Sequence, residues 1–217
     1  GEAKMPEVVE RYLRAVEANN PVGALIAYPG SPLLIAQAMR PQDRLAACEL
    51  QADEADALKE LFAHDSRVAV HARDGYTAIK AMLPPRTETL KFARGLVLID
   101  PPYEVQDNEY PQIISTVREA LERWPQATYA IWYPIKLRRS LQPFFRKAAA
   151  LPGKSVMLAE LQIRPDDSPL RLNGSGLVIV NPPWKFDQQI APALLLLKKT
   201  LGEVGAMTRL EWLTPES

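Results

Sequence analysis

The chain has few residues that could form a disulfide or hold a metal. Its 217 residues include one cysteine, Cys48, and two histidines, His64 and His71. A single cysteine excludes an internal disulfide and fits a reducing cytoplasm. The cysteine and the histidines also lack the spacing of a metal-ligand set, so no metal is expected. No apolar run approaches the roughly 20 residues needed to span a bilayer, and no signal-peptide pattern is visible. The expectation is a soluble cytoplasmic protein with no membrane partner. Net charge is also lacking, since 26 basic residues balance 26 acidic ones. There is no initiator methionine, no linker and no low-complexity segment. The expected organisation is one N-terminally incomplete domain over residues 1–217, with residues 1–40 as a small helical subdomain within it.

The charge that is present is unevenly placed. Residues 1–66 hold six basic and eleven acidic side chains, and residues 136–171 hold eight basic and three acidic. Such a dipolar chain can turn a basic face toward phosphates. The same clusters could equally be solvated helix faces. Lys136, Arg138 and Arg139 follow a predicted strand end and are the best candidates for phosphate contacts.

Apolar periodicity predicts a helix over the N-terminal residues 7–16. Tyr28-Pro29-Gly30-Ser31-Pro32 then marks a turn, with Ser31 as N-cap of a helix over 33–39. Strands are predicted at 44–50, 67–71, 95–100 and 128–133. Helices are predicted at 52–63, 75–83, 110–124 and 137–150. Alternating strands and helices imply parallel strands joined by crossovers, a doubly wound α/β sheet. The end departs from this. Residues 155–163 and 175–180 read as strands without a helix between them, an antiparallel C-terminal pair. A helix over 187–201 and a strand over 206–213 complete the chain.

The sheet is organised around Gly95-Leu96-Val97-Leu98-Ile99-Asp100-Pro101-Pro102-Tyr103. Four consecutive apolar residues suit a buried strand. Pro101 and Pro102 lack N–H groups and end it, leaving the Asp100 carboxylate at the strand's C-terminal edge. Ligands of open α/β sheets bind at that edge. Tyr103 adds a flat ring. An acceptor, a stiff turn and a stacking face suit a planar base with an exocyclic amine. Glu49 and Asp74 also follow predicted strands and are expected on the same edge. An acid after the second strand of a nucleotide-binding half holds ribose hydroxyls. Asp74-Gly75 can accept from an adenine amine and allow close approach. Each acid alone could simply be a helix cap.

These residues resemble the class I S-adenosylmethionine-dependent methyltransferases. Asp100-Pro101-Pro102-Tyr103 is similar to the Asp/Asn/Ser-Pro-Pro-Tyr/Phe/Trp motif of enzymes that methylate exocyclic amines. More narrowly, the chain resembles the RlmJ family of 23S ribosomal RNA adenine-N6 methyltransferases. The likeness runs through Tyr28-Pro29-Gly30-Ser31-Pro32, Glu49-Leu50, Asp74-Gly75, Leu98 to Glu104, Trp132-Tyr133-Pro134 and Ser175 to Lys185. It implies a mostly parallel, Rossmann-like methyltransferase sheet, S-adenosyl-L-methionine as cofactor and 23S ribosomal RNA as partner, as free or early precursor RNA. Ser31, Glu49, Asp74, Gly75 and Asp100 would contact the cofactor. Asp100, the Pro101 carbonyl and Tyr103 would act on the target amine and base, and Tyr103, Lys136 and Arg138 would bind the RNA. The family's first strand and its Asp-x-x-x-Gly-x-Gly loop are matched nowhere in the chain and are expected upstream, the strand belonging at the sheet's centre.

The motif has an internal echo. Gly176-Leu177-Val178-Ile179-Val180-Asn181-Pro182-Pro183-Trp184 repeats the pattern. If residues 175–180 pair antiparallel with 155–163, Asn181 exits at the edge opposite Asp100. The second copy then reads as a structural strand stop with a packed Trp184. Competing readings are methylation of guanine N2 in ribosomal RNA or adenine N6 in DNA, and a non-catalytic RNA-binding remnant.

Overall fold

A computed structural model describes residues 4–86, 92–103, 106–166, 168 and 172–215. The chain divides into two compact units, residues 1–81 and 82–217.

The first unit holds α1 (Glu7–Glu17), α2 (Ser31–Ala38), β1 (Leu45–Glu49), α3 (Ala52–Leu61) and β2 (Val68–Ala72), and α4 (Gly75–Met82) begins in it. β1 and β2 pair in parallel, from Leu45 opposite Val68 to Glu49 opposite Ala72. α3 is the crossover that parallel pairing demands. Arg67 ties the end of α2 to the start of β2. Its guanidinium donates to the carbonyls of Ala36 and Met39 at 3.3 and 3.0 Å, satisfying groups a helix end leaves unpaired. Asp65 holds that guanidinium by two bonds at 2.9 and 2.6 Å. Hydrogen bonds from Arg67 lower the Asp65 carboxyl to about 2. The expected Ser31 cap is corrected. Gly30 is the N-cap, and its carbonyl accepts from the Leu33 and Leu34 amides. Ser31 and Pro32 lie inside the first turn, where a missing N–H is harmless.

The second unit holds β3 (Leu96–Ile99), α5 (Gln106–Arg123), β4 (Thr128–Ile135), a 3-10 turn (Arg138–Leu141), α6 (Gln142–Ala149), β5 (Val156–Gln162), β6 (Gly174–Val180), α7 (Phe186–Leu201) and β7 (Met207–Thr214). Its sheet has the order β3-β4-β6-β5-β7. β3 and β4 are parallel, and β6 runs antiparallel to β4 and β5. β7 is antiparallel to β5. Three of the five strands therefore share one direction, and the antiparallel pairing lies toward the C-terminus, as the sequence implied.

The core lies on the central strands. Tyr129, Ile131, Tyr133, Ile135, Met157, Leu158, Val178 and Val180 are fully buried, together with Ile113 and Val117 of α5. Each such aliphatic side chain contributes about 1.5–3 kcal/mol relative to an exposed one. Two predicted helices differ in extent. α5 begins four residues earlier than expected and tolerates Pro111 inside it. The expected helix over 137–150 is a 3-10 turn followed by α6, with Pro143 in the first turn of α6. Pro143 cannot donate to a preceding turn, so the chain tightens and then restarts. No helix among the described residues is long and apolar enough to cross a membrane.

Candidate active site

β3 ends where the two prolines require. Ile99 is 5% exposed, and Asp100 emerges at the sheet's C-terminal edge. The Asp100 carboxylate makes no hydrogen bond or ion pair to any described residue. It reaches solvent, yet its partial burial raises the carboxyl above its ordinary value. A carboxylate with no partner among the described residues keeps its lone pairs open to a ligand's donors.

Tyr103 lies differently from the expectation. It was expected to offer an open face for stacking, but it is 4% exposed. Its backbone is left-handed, with φ 53°. That turns the ring inward, where the phenol donates to the Trp132 carbonyl on β4. The ring centroid lies 5.5 Å from Tyr110 and 5.8 Å from Trp132. Tyr110 in turn stacks on Phe144 at 4.5 Å. Tyr103 thus clamps the turn that carries Asp100 onto the neighbouring strand. Of the Trp132-Tyr133-Pro134 stretch, Tyr133 and Pro134 are buried and Trp132 is half-buried.

Arg138 also differs from the expectation. It was expected to contact RNA phosphates, but it serves a buried acid. Its Nη1 donates to Glu160 Oε2 at 2.7 Å and its Nη2 to Gln162 Oε1 at 2.9 Å. Glu160 is 0% exposed, and its other oxygen accepts from the Tyr133 hydroxyl at 2.8 Å. Arg209 lies 3.7 Å from the same carboxylate. Burial and the neighbouring carboxylate push the Tyr133 phenol far above its usual range. A buried carboxylate must be paired, and Arg138 is the pairing cation. Gly176 has no alternative here, since a Cβ would lie 2.5 Å from the Tyr133 ring and 2.9 Å from Glu160 Cγ. Sequence reasoning missed Glu160. The signal was a lone acid inside the apolar run Val156–Gln162. Lys136 and Arg139 remain exposed, just past the end of β4 at the Asp100 edge.

In the first unit, Glu49 and Asp74 share one edge of the β1–β2 pair, as the parallel register requires. Glu49 is half-buried, and its Oε1 accepts from the Gln51 amide at 2.8 Å. Its second oxygen has no partner among the described residues. Asp74 accepts from the Tyr76 and Thr77 amides at 3.2 and 3.0 Å, the pattern of a helix cap. Each of those oxygens keeps a further lone pair. Gly75 is exposed, and a Cβ there would meet nothing within 4 Å. Ser31 is exposed at the start of α2. Burial raises the Cys48 thiol, which makes it a poor nucleophile.

The echo resolves by strand direction. β6 runs antiparallel to β4, so Asn181 lies at the edge opposite Asp100. Asn181 is a structural knot. Its Nδ2 donates to the Pro125 and Ala127 carbonyls at 3.0 and 2.9 Å, and its Oδ1 accepts from the Lys154 amide at 2.8 Å. The two motifs also differ in backbone, because φ is positive at the fourth residue of the first and at the first residue of the second. The expectation of a packed Trp184 is corrected. Trp184 is 75% exposed, and Phe186 takes the place against Met157, Ala159 and Ile179.

Residues 1–214 match the family model described as ribosomal RNA large subunit methyltransferase D, RlmJ. The chain is 37% identical to ribosomal RNA large subunit methyltransferase J of Haemophilus influenzae, over 98% of this chain and 74% of that protein. It is 35% identical to the Escherichia coli protein of the same name, with the same coverage of both. A crystal structure of a Legionella pneumophila protein matches with a TM-score of 0.84 at 30% identity, covering 96% of this chain and 75% of that one.

Proposed function

Because the chain belongs to the RlmJ family of ribosomal RNA large subunit methyltransferases, we propose that it methylates the exocyclic N6 amine of an adenine in 23S ribosomal RNA, with S-adenosyl-L-methionine as methyl donor. The observation that carries this reading is Asp100, a carboxylate at the end of β3 with no partner among the described residues, followed by two prolines. The substrate in this reading is free or early precursor RNA, and the site of action is the cytoplasm.

The carboxylates fit the donor's polar groups. Glu49 has an open oxygen on a half-buried strand end and suits a pair of ribose hydroxyl donors. Asp74 has lone pairs to spare for an adenine amine, and open Gly75 leaves room beside it. Ser31 adds an exposed hydroxyl at a helix start. S-adenosyl-L-methionine supplies an electrophilic methyl group when bound.

Asp100 and the Pro101 carbonyl accept the two hydrogens of the target amine. The amine lone pair is delocalised into the adenine ring, and these acceptors favour the tetrahedral nitrogen that can attack. They also stabilise positive charge as it develops on that nitrogen. Asp100 works in its ionised form as an acceptor, and no strong base is needed before attack because the nitrogen would release its extra proton to solvent after receiving the methyl group. Tyr103 acts by positioning, since its phenol on the Trp132 carbonyl fixes the turn. The target base leaves its RNA stack to reach Asp100. Lys136 and Arg139 supply exposed charge for phosphates at the same edge.

Nucleoside analysis tests the proposal. The complete gene product is incubated with unmodified 23S RNA, assembled large subunits and DNA. The expected product is N6-methyladenosine, formed faster on free RNA than on subunits. N2-methylguanosine, or methylation of DNA alone, would redirect the reading to another amine methylase.

A further inference from the structure

The Asn181 side chain is tied into the fold, but the Trp184 and Lys185 side chains make no hydrogen bond or ion pair among the described residues. Trp184 is 75% exposed at the head of α7. Lys185 is the N-cap of that helix, in a left-handed conformation with φ 56°. A lysine is a poor choice there. N-caps favour side chains that accept hydrogen bonds, and the positive end of the helix dipole repels a cation. A non-glycine residue at positive φ adds strain. Local rules broken together, without a packing gain, point to function.

The surroundings point to one kind of partner. The turn is rigid, since Asn181 is tied to Pro125, Ala127 and Lys154, and the Thr128 hydroxyl donates to its carbonyl at 2.7 Å. Lys185 Nζ sits 5.8 Å from the Trp184 ring centroid. Lys154, bonded to the turn through its amide, is also exposed. Pro183 and Lys185 flank the ring and are exposed. Asp187 is the acid in the first turn of α7. A protein hot spot would set the tryptophan within an apolar patch. An exposed ring with Lys185 against it suits a base with its phosphate, because every base offers a π-face and the backbone is anionic.

We infer that Trp184 and Lys185 form a second RNA contact, a stacking platform for a single-stranded segment of the substrate on the sheet edge opposite Asp100. This rests on the ribosomal RNA reading above. In the register Asp100 falls beside Trp132 and Asn181 beside Thr128, four residues apart, which puts the platform's turn about 13 Å from Asp100 along the strands and two strands across. Only an RNA that extends beyond the methylated region can reach both.

The test uses the complete gene product and two RNAs with the same target adenine. One is a short hairpin, and the other carries single-stranded tails of about ten nucleotides, long enough at 3.4 Å or more per nucleotide. Trp184→Ala should raise KM for the tailed RNA about five- to tenfold, with kcat unchanged and the hairpin unaffected. Lys185→Gly keeps the positive φ and should lower the salt slope of tailed-RNA binding by about 0.7. An unchanged KM on the tailed RNA overturns the inference. So does an equal rise on both RNAs, and if self-association in sedimentation is also lost, the ring belongs to a protein interface. If the wild type methylates neither RNA, the ribosomal reading has failed. Anisotropy of the labelled tailed RNA with wild type and Trp184→Ala then still decides the platform.

Discussion

Asp100 and Glu160 are two carboxylates with opposite situations. The Asp100 carboxyl is raised by partial burial and has no partner among the described residues, whereas Glu160 is fully buried with several. The sign of pH dependence follows for Asp100. Its folded pKa lies above its unfolded one, so folding is favoured while the group is protonated. That contribution is lost as pH rises from the unfolded value through the folded one. Asp100→Asn should therefore melt no lower than wild type at neutral pH, and its stability should lack that decline. Thermal denaturation across pH checks this. The acidic limb of kcat/KM in the wild type should lie above the ordinary aspartate value for the same reason. Glu160→Ala strands Arg138 and the Tyr133 hydroxyl in the core and should destabilise by about 3–5 kcal/mol in denaturant unfolding. Tyr133→Phe should lose about 1 kcal/mol. Glu160 was hard to read because a charge in a strand ordinarily marks a solvent-facing position, and its partners arrive from β4, the following turn and β7. Arg138 was misread for the same reason, since its sequence neighbours are basic and its acid lies 22 residues away.

At the scale of elements, the proline pairs end two strands by different means. At Asp100 the chain turns back through Tyr103 to β4, and its acid has no partner among the described residues. At Asn181 the side chain itself bonds to the loop between α5 and β4, spanning 54 residues to Ala127. Asn181→Ala should cost about 1–3 kcal/mol of stability, because it removes three bonds from a left-handed position. Its kcat should be unchanged, which separates a strand stop from a catalytic acid. Apolar runs were a sound guide to where β3, β4 and β6 lie and stop, but not to burial, since the strand expected to be buried, β3, is an outer strand of its sheet with Leu96 58% and Leu98 38% exposed. They could not show that Pro143 divides a helix or that Trp184 faces solvent. Both depend on where the following helix can start. The sequence echo was real, but strand direction puts its two copies at opposite edges of the sheet.

At the scale of the molecule, the basic residues that precede α6 separate into two groups. Arg138 is held by Glu160, and Lys136 and Arg139 are exposed at the Asp100 edge. Replacing Lys136 and Arg139 together with alanine should weaken RNA binding at every sequence tested. Each lost phosphate contact should reduce the salt slope by about 0.7–0.9. Titrations at several salt concentrations measure this. The family was legible from short motifs that span nearly the whole chain, and the α/β order was legible from alternating strands and helices. Roles that depend on long-range pairing were not legible, including the Tyr103 clamp on Trp132. The central claim concerns the amine acceptor at the end of β3. Single-turnover methyl transfer to 23S RNA by the complete gene product, wild type against Asp100→Asn, tests it most directly. The expected result is N6-methyladenosine from the wild type and a rate about a hundredfold or more lower in a variant that is equally folded. A variant rate within about threefold of wild type would contradict the account, because Asp100 would then not hold the reacting nitrogen.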